Sequence, residues 1–167
     1  ETSVLDGETR TPEFLALNPT GQVPLAVFAD NRPLAQSNAI ILHLAWGTDL
    51  IPDDPFARAQ MFQWLFWEQY NHEPAVAVLR FQRLYLKKAE AEIDPALVAK
   101  SEGVLALMEA HLASRDYFAG GGLSLADIAL VAYTRFAHEA ALDLARWPQV
   151  RAWVRHIEDE LALPHLR

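Results

Sequence analysis

The sequence predicts a two-domain protein in which a small α/β domain, residues 1–46, precedes an all-helical domain, residues 56–167. Two observations lead to this prediction. The first stretch consists of short elements separated by turn-forming pairs such as Asn18-Pro19. From residue 56 onward, the apolar residues recur at helical spacing. Residues 47–55 between them are polar and contain two prolines, a composition typical of an interdomain linker.

The charge balance excludes several classes of partner. The 167 residues contain 14 Lys and Arg against 22 Asp and Glu, which gives a net charge of −8. Such a chain repels nucleic-acid phosphates and anionic lipid, and its apolar runs are shorter than the ~20 residues that span a bilayer. We therefore expect no nucleic-acid partner, no membrane association and a cytoplasmic location. Cysteine is absent and the histidines have no zinc-motif spacing, so the sequence predicts neither thiol chemistry nor a metal site.

Turn and capping residues predict the elements of the first domain. Thr11 as N-cap and Pro12 at the first helical position predict a short helix that ends before residue 18. Residues 24–29 and 32–35 predict two strands that form a hairpin. Residues 37–46 predict a second helix, with a glycine after its end.

Periodicity and caps predict the helices of the second domain. They cover residues 56–86, residues 95–113, a stretch that starts at residue 124, and residues 148–161. Pro74 lacks an amide hydrogen, which predicts a kink or break near Glu73 within the first of them. Ser124 followed by Asp127 is a capping box that marks a helix start.

Two positions in the first domain suggest chemistry. A cis Val23-Pro24 peptide fits the entrance of a strand and exposes the Val23 backbone to an extended peptide ligand. Gln36 and Ser37 stand at a helix start, where amide groups and the helix dipole favour a carboxylate. The purely structural alternatives are that Ser37 is only an N-cap and Pro24 only a strand boundary.

Together these segments resemble the glutathione S-transferase family. The motif N-P-x-G-x-V-P at residues 18–24 and the segment 34–44 look like its glutathione-binding half. Residues 63–70 and 124–129 look like its helical domain, especially that of bacterial members. The resemblance implies a glutathione S-transferase-like two-domain fold, a partial thioredoxin-like α/β domain followed by an all-α helical-bundle domain. It also implies conjugation of glutathione to small apolar electrophiles, as in detoxification, by a homodimer.

The resemblance assigns glutathione-binding roles to four residues. Val23 would pair its backbone with the cysteinyl part, and Gln36 and Ser37 would hold the γ-glutamyl carboxylate. Gln22 would reach the glycyl end. Glutathione is then a co-substrate, and no cofactor is implied.

The electrophile would contact the helix formed by residues 56–86, with Tyr70, His72 and Arg80 as candidates. The catalytic residue of the family is a Tyr, Ser or Cys near the end of the first strand. Residues 3–6 resemble the tail of the second strand, so no residue of this sequence is assigned that role. We expect a preceding strand and helix in the protein.

The alternative function is a non-catalytic binding or assembly module of the same family. The sequence does not name the electrophile, and it leaves conjugase, peroxidase and isomerase chemistry open.

Overall fold

The computed structural model describes residues 2–166 and divides the chain into two compact units, Glu1–Thr48 and Asp49–Arg167. We call them the first unit and the second unit. Residues 49–55 of the predicted linker are attached to the second unit. The amide of Leu125 donates to the carbonyl of Leu50 at 3.1 Å, and Arg58 Nε donates to the carbonyl of Pro52 at 2.9 Å.

The first unit contains two helices and one hairpin: α1 Pro12–Leu17, β1 Leu25–Val27, β2 Pro33–Ala35 and α2 Ser37–Leu44, with a 3₁₀ turn at Glu8–Arg10. The strands are antiparallel, so the predicted hairpin is confirmed with shorter strands. The predicted α1 is also confirmed, because the Thr11 hydroxyl accepts a hydrogen bond from the Phe14 amide at 3.3 Å. The strand interpretation of residues 3–6 is wrong, since Gly7 closes a turn onto the Val4 carbonyl.

Hydrogen-bonded turns shape the loops of the first unit. Among residues 2–48, the buried side chains are those of Thr9, Asn18 and Ala45. Two of these three are polar, and buried polar groups remain favourable only when they are hydrogen-bonded. The shape of this unit therefore depends on its loops.

The second unit is helical. Its helices are α3 Pro55–Trp67, α4 Val78–Arg80, α5 Pro95–Leu112, α6 Leu125–Thr134 and α7 Pro148–Glu160. Two π-helical segments, Glu68–Ala77 and Phe81–Tyr85, flank α4, and 3₁₀ turns lie at Glu90–Glu92, Ala137–Ala140 and Leu144–Arg146. α6 packs between α3 and α7, and α5 packs against α7 and the first π-helical segment. Within the described part of the chain, no helix has both the length and the apolar composition needed to span a membrane.

Pro74 does not break the long helical stretch. The chain continues from α3 through the first π-helical segment, which contains Pro74, into α4. In a π-helix each amide bonds the carbonyl five residues earlier, and such segments interrupt α-helices locally. Of the predicted kink or break, the break does not occur, because the chain winds more widely around Pro74 and continues as a helix.

A buried carboxylate organises the core of the second unit. Asp127 accepts hydrogen bonds from the Phe118 amide at 3.0 Å, the Trp153 indole at 3.1 Å, and the Ser124 amide and hydroxyl at 3.1 and 2.9 Å. Ser124 is the N-cap residue of α6, so the predicted helix start is confirmed. Burial raises the pKa of the Asp127 carboxyl, and these hydrogen bonds oppose that rise. Phe118 packs edge-on against Trp64 and Trp153, with centroids 4.7 and 5.0 Å apart.

His72 lies inside this core, with its side chain closed off from solvent. The Thr134 hydroxyl donates to the Leu130 carbonyl at 2.7 Å, so it accepts its 2.9 Å bond from His72 Nε2. This pairing leaves Nδ1 unprotonated and without a partner among the described residues. Burial lowers the pKa of His72 from 6.5 to about 3.

The buried neutral His72 makes folding sensitive to acid. The unfolded chain binds a proton at this histidine below pH 6.5, and the folded chain does so only near pH 3, so stability falls as the pH drops through this range. Between pH 6.5 and 5 the loss amounts to about 2 kcal/mol. Urea unfolding at both pH values measures it. His72→Gln keeps a hydrogen-bond donor for Thr134 but has no titrating group. The unfolding free energy of this variant should therefore fall by about 2 kcal/mol less than that of the parent protein between pH 6.5 and 5.

The exposed His138 provides the matched control for that experiment. The variant His138→Gln should keep the acid sensitivity of the parent protein, because this substitution leaves the buried His72 in place. An equal pH dependence in the parent protein and in His72→Gln contradicts the assignment to His72.

Candidate functional site

The loop at residues 18–22 is held in shape by the buried side chain of Asn18. Its Nδ2 donates to the Gln22 carbonyl at 2.7 Å, and its Oδ1 accepts from the amide and hydroxyl of Thr20 at 3.2 and 2.8 Å. These bonds satisfy both ends of the amide group. Asn18 therefore fixes the segment that leads into Val23.

Gly21 is required at its position in this loop. Its φ of +64° lies in the left-handed region, and a Cβ there would meet the Arg10 guanidinium and lie 3.1 Å from the Thr9 carbonyl oxygen. That guanidinium donates to the Thr20 carbonyl at 3.2 Å. Arg10 thus closes the outer side of the loop.

The loop ends in a cis peptide between Val23 and Pro24, as expected from the sequence. Val23 is 47% exposed and lies before the first residue of β1. Within residues 2–166, neither its amide nor its carbonyl has a hydrogen-bond partner. The Val23 backbone is therefore available to an extended ligand.

The hairpin register brings Val23 and Ser37 to the same end of the sheet. Leu25 pairs with Ala35, so the chain enters β1 and leaves β2 at one end. Ser37 is the first residue of α2, and its hydroxyl has no partner in the described part of the chain. The interpretation of Ser37 as an N-cap is wrong, because the capping position is held by Gln36 with φ 74°.

The geometry at this end of the first unit suits a peptide that carries a carboxylate. The amide and carbonyl of Val23 can pair with an extended backbone, and the start of α2 can bind an anion. Gln22 precedes Val23 in the sequence, and Gln36 precedes Ser37. Both glutamines are exposed to solvent. The structure thus gathers all four predicted residues in the first unit.

The three electrophile candidates in the second unit have different surroundings. Tyr70 is 82% exposed, whereas His72 is fully buried in the core described above. Arg80 Nε donates to Glu139 Oε2 at 2.5 Å, and its guanidinium lies 4.9 Å from the centre of the Phe136 ring. The burial of His72 does not suit a direct contact with a substrate, and Arg80 is already held by a charged and an aromatic partner.

Comparison with known proteins agrees with these features. The family model for the glutathione S-transferase N-terminal domain matches residues 1–45, and that for the C-terminal domain matches residues 77–156. A curated maize protein named glutathione S-transferase 3 is 36% identical over 159 residues, which cover 88% of this chain and 71% of that protein. The chain belongs to the glutathione S-transferase family.

Solved structures place the whole described fold within the glutathione S-transferase family. A glutathione S-transferase from Xanthobacter autotrophicus Py2 is 44% identical and aligns with a TM-score of 0.90, covering 100% of this chain and 81% of that one. Ure2p in complex with glutathione is 25% identical with a TM-score of 0.81, covering 94% and 76%. The N-terminal thioredoxin-like domain is partial, and the C-terminal domain is all-helical, as predicted.

The chain spans 66% of the length of glutathione S-transferase F10 from Arabidopsis thaliana, to which it is 31% identical over 142 residues, or 80% of this chain. Among residues 2–166, no three acidic or histidine side chains are grouped to hold a metal ion.

Sequence reasoning missed two groups of residues. Asn18 belongs to a turn-forming pair and to the N-P-x-G-x-V-P motif, but neither observation predicts the hydrogen bonds of its side chain across the loop. Glu73 and Tyr133 were not singled out. Burial raises the pKa of both side chains, and the charge of Glu73 raises that of Tyr133 further. They are distant in sequence, so no spacing pattern could have linked them.

The variant Asn18→Ala should loosen the loop without unfolding the unit. It leaves the Thr20 amide without its acceptor, so we expect hydrogen exchange of that amide to accelerate by about tenfold. Amide exchange followed by NMR measures this rate. Thr11→Ala removes the cap of α1 in the same unit and serves as the control, with an unchanged rate at Thr20. An unchanged rate in Asn18→Ala contradicts the role given to Asn18.

Proposed function

We propose that this chain is the glutathione-binding and helical part of a glutathione transferase that conjugates the glutathione thiolate to small apolar electrophiles. The observation that supports this most is the shared end of the hairpin, where the exposed Val23 backbone and the start of α2 meet. Glutathione is an extended peptide with a carboxylate at each end, so both features match it. The solved complex of the family relative Ure2p with glutathione supports the same ligand.

Each predicted residue is assigned to bind one part of glutathione. The Val23 amide and carbonyl pair with the cysteinyl unit, whose backbone is extended there. The Ser37 hydroxyl and amide bind the γ-glutamyl carboxylate, helped by the positive end of the α2 dipole and by the Gln36 amide. Gln22, which is exposed on the Asn18 loop, reaches the glycyl end.

Catalysis then requires ionisation of the glutathione thiol, because only the thiolate is a good nucleophile. A hydroxyl donor or a helix end that faces the sulfur lowers its pKa. None of the residues in this sequence is assigned that task. Binding contributes by holding the thiolate against the electrophile, which raises their effective concentration.

The helical unit is proposed to contact the electrophile. Of the three candidates, Tyr70 has the exposed aromatic ring that could contact an apolar substrate. Arg80 contributes through the Phe136 and Tyr85 rings that its guanidinium contacts, 4.9 and 5.5 Å from their centres. His72 acts from within the core, by supporting the helical stretch that carries the other two.

We also propose a cytoplasmic homodimer. Large aromatic side chains are exposed on α3 and the π-helical segment after it, namely Phe56, Phe66 and Tyr70. Exposed aromatic residues on one helical stretch are typical of an interface between subunits. The net charge of −8 supports the absence of a nucleic-acid partner.

The second candidate function is a non-catalytic binding or assembly module of the family. The observation in its favour is the likeness to Ure2p, which has a TM-score of 0.81 to this chain and was solved in complex with glutathione. Such a protein binds glutathione at the same end of the hairpin and conjugates nothing.

Conjugation by the full-length protein separates the two functions. With glutathione and 1-chloro-2,4-dinitrobenzene, the transferase releases chloride and forms a thioether, which is followed by absorbance. We expect turnover well above the uncatalysed rate. Measurable glutathione binding without turnover for any apolar electrophile tested favours the binding module. Absence of both binding and turnover contradicts both functions.

The variant Ser37→Ala should weaken glutathione binding by about tenfold, because one hydrogen bond to a carboxylate is lost. Isothermal titration calorimetry measures the dissociation constant. Ser37→Thr keeps the hydroxyl and should restore most of the affinity. Ser3→Ala, which removes another serine of the first unit, serves as the control. Equal affinity in Ser37→Ala and the parent protein removes Ser37 from the site.

A further inference from the structure

The helical unit contains a carboxyl group and a phenol group whose hydrogen-bonding capacity is unused. Glu73 lies in the first π-helical segment, and Tyr133 lies in the last turn of α6. Both side chains are half-buried. Among residues 2–166, neither the Glu73 carboxyl nor the Tyr133 hydroxyl has a hydrogen-bond or ion-pair partner. Both groups are therefore available to a ligand.

Packing brings these two side chains to the same side of two neighbouring helical stretches. α3 and the first π-helical segment pack against α6, whereas α4 and the second π-helical segment pack against the turn Ala137–Ala140 that follows α6. The two stretches therefore run in the same direction. A 2.9 Å bond between His72 Nε2 and the Thr134 hydroxyl fixes their register. In two parallel right-handed helices, the residue after one contact residue and the residue before the other lie on one side, so Glu73 and Tyr133 flank the same groove.

The pKa shifts of the two groups agree with this arrangement. Burial raises the pKa of the Tyr133 hydroxyl, and the negative charge of Glu73 raises it further. The phenol therefore stays protonated at neutral pH and acts as a hydrogen-bond donor. Burial also raises the pKa of the Glu73 carboxyl. A half-buried carboxylate without a partner is stabilised by a ligand that donates a hydrogen bond to it.

Arg80 lies further along the same groove and does not neutralise Glu73. Its Nε donates to Glu139 Oε2 at 2.5 Å, and its guanidinium lies 4.9 Å from the centre of the Phe136 ring. Glu139 therefore compensates the charge of Arg80. A ligand anion at Glu73 would be repelled by the carboxylate, whereas a neutral group would not. Glu73 and Tyr133 together favour a neutral group that both donates and accepts a hydrogen bond.

A secondary amide is a neutral group of this kind. Its N–H donates and its C=O accepts, and in the trans form the two point in opposite directions. We propose that Glu73 and Tyr133 determine the specificity for the electrophile by selecting one that carries a secondary amide. The amide oxygen accepts from the Tyr133 hydroxyl, and the amide N–H donates to the Glu73 carboxylate. This inference rests on the proposed transferase function and adds a substrate class to it.

A matched pair of substrates tests the proposal on the full-length protein. N-methyl-4-chloro-3-nitrobenzamide carries the amide, and methyl 4-chloro-3-nitrobenzoate has an ester oxygen in place of the N–H. In both reactions the glutathione thiolate bonds to the ring carbon, and chloride leaves with the electron pair of the broken bond. The measured quantity is kcat/KM divided by the uncatalysed rate constant. It should be about tenfold higher for the amide, because the ester leaves Glu73 without a donor.

Variants of the two residues should separate their roles. Glu73→Leu should lower the value for the amide by about tenfold and leave that for the ester unchanged, whereas Glu73→Gln keeps an acceptor oxygen and should restore part of the preference. Tyr133→Phe should lower both values by about fivefold, because both substrates lose the donor to their carbonyl oxygen. The controls Glu13→Leu in α1 and Tyr117→Phe before α6 remove the same groups elsewhere and should change neither value.

Turnover of 1-chloro-2,4-dinitrobenzene separates this proposal from the transferase function. This substrate has neither an N–H nor a carbonyl oxygen, so every variant should conjugate it at the rate of the parent protein. If it is turned over but the parent protein does not prefer the amide, the specificity proposal is wrong and the transferase function stands. An unchanged preference in Glu73→Leu, or unchanged values in Tyr133→Phe, also overturns the specificity proposal. Absence of turnover with all three substrates contradicts both.

Discussion

The buried carboxylate of Asp127 is the interaction on which the helical unit depends. Its hydrogen bonds come from the loop before α6, from the first turn of α6 and from α7. A buried carboxylate is costly unless its oxygens are satisfied, so the fold is favourable only when all three segments are in place. Because Phe118 and Trp153 are both tied to it, their rings meet edge-on at the centre of the core.

In the first unit, backbone geometry fixes the positions of the groups at the candidate site. The bonds of the buried Asn18 side chain fix the loop at residues 18–22. The paired strands of the hairpin then connect this loop to the start of α2. As a result, the groups proposed to bind glutathione are the Val23 backbone and a helix end, and both are fixed before any ligand arrives. Preorganised groups lose little conformational entropy on binding, which favours affinity.

The sequence predicted those features that are encoded by neighbouring residues. Thr11-Pro12 and Ser124 mark helix starts, and the cis peptide at Pro24 follows from local turn chemistry. Which residues of the long helical stretch face the core was not predictable from the sequence. The segment around Pro74 is π-helical, so the α-helical spacing of 3.6 residues does not apply to it. His72, a candidate for contact with the electrophile, lies in this π-helical segment, and its side chain is buried. The Arg135 bonds to Glu158 and Pro164 join distant parts of the chain, which no local pattern encodes.

The negative net charge of this protein does not prevent the binding of a small anionic ligand. Charges in physiological salt are screened beyond about 8 Å, so a small ligand responds to the few groups beside it. At the start of α2, those groups are the amides of the first helical turn and the Ser37 hydroxyl. A nucleic acid instead adds the contributions of many phosphates over a wide surface, where the charge of −8 prevails. The acidic composition therefore excludes polyanions and remains compatible with small anionic ligands such as glutathione.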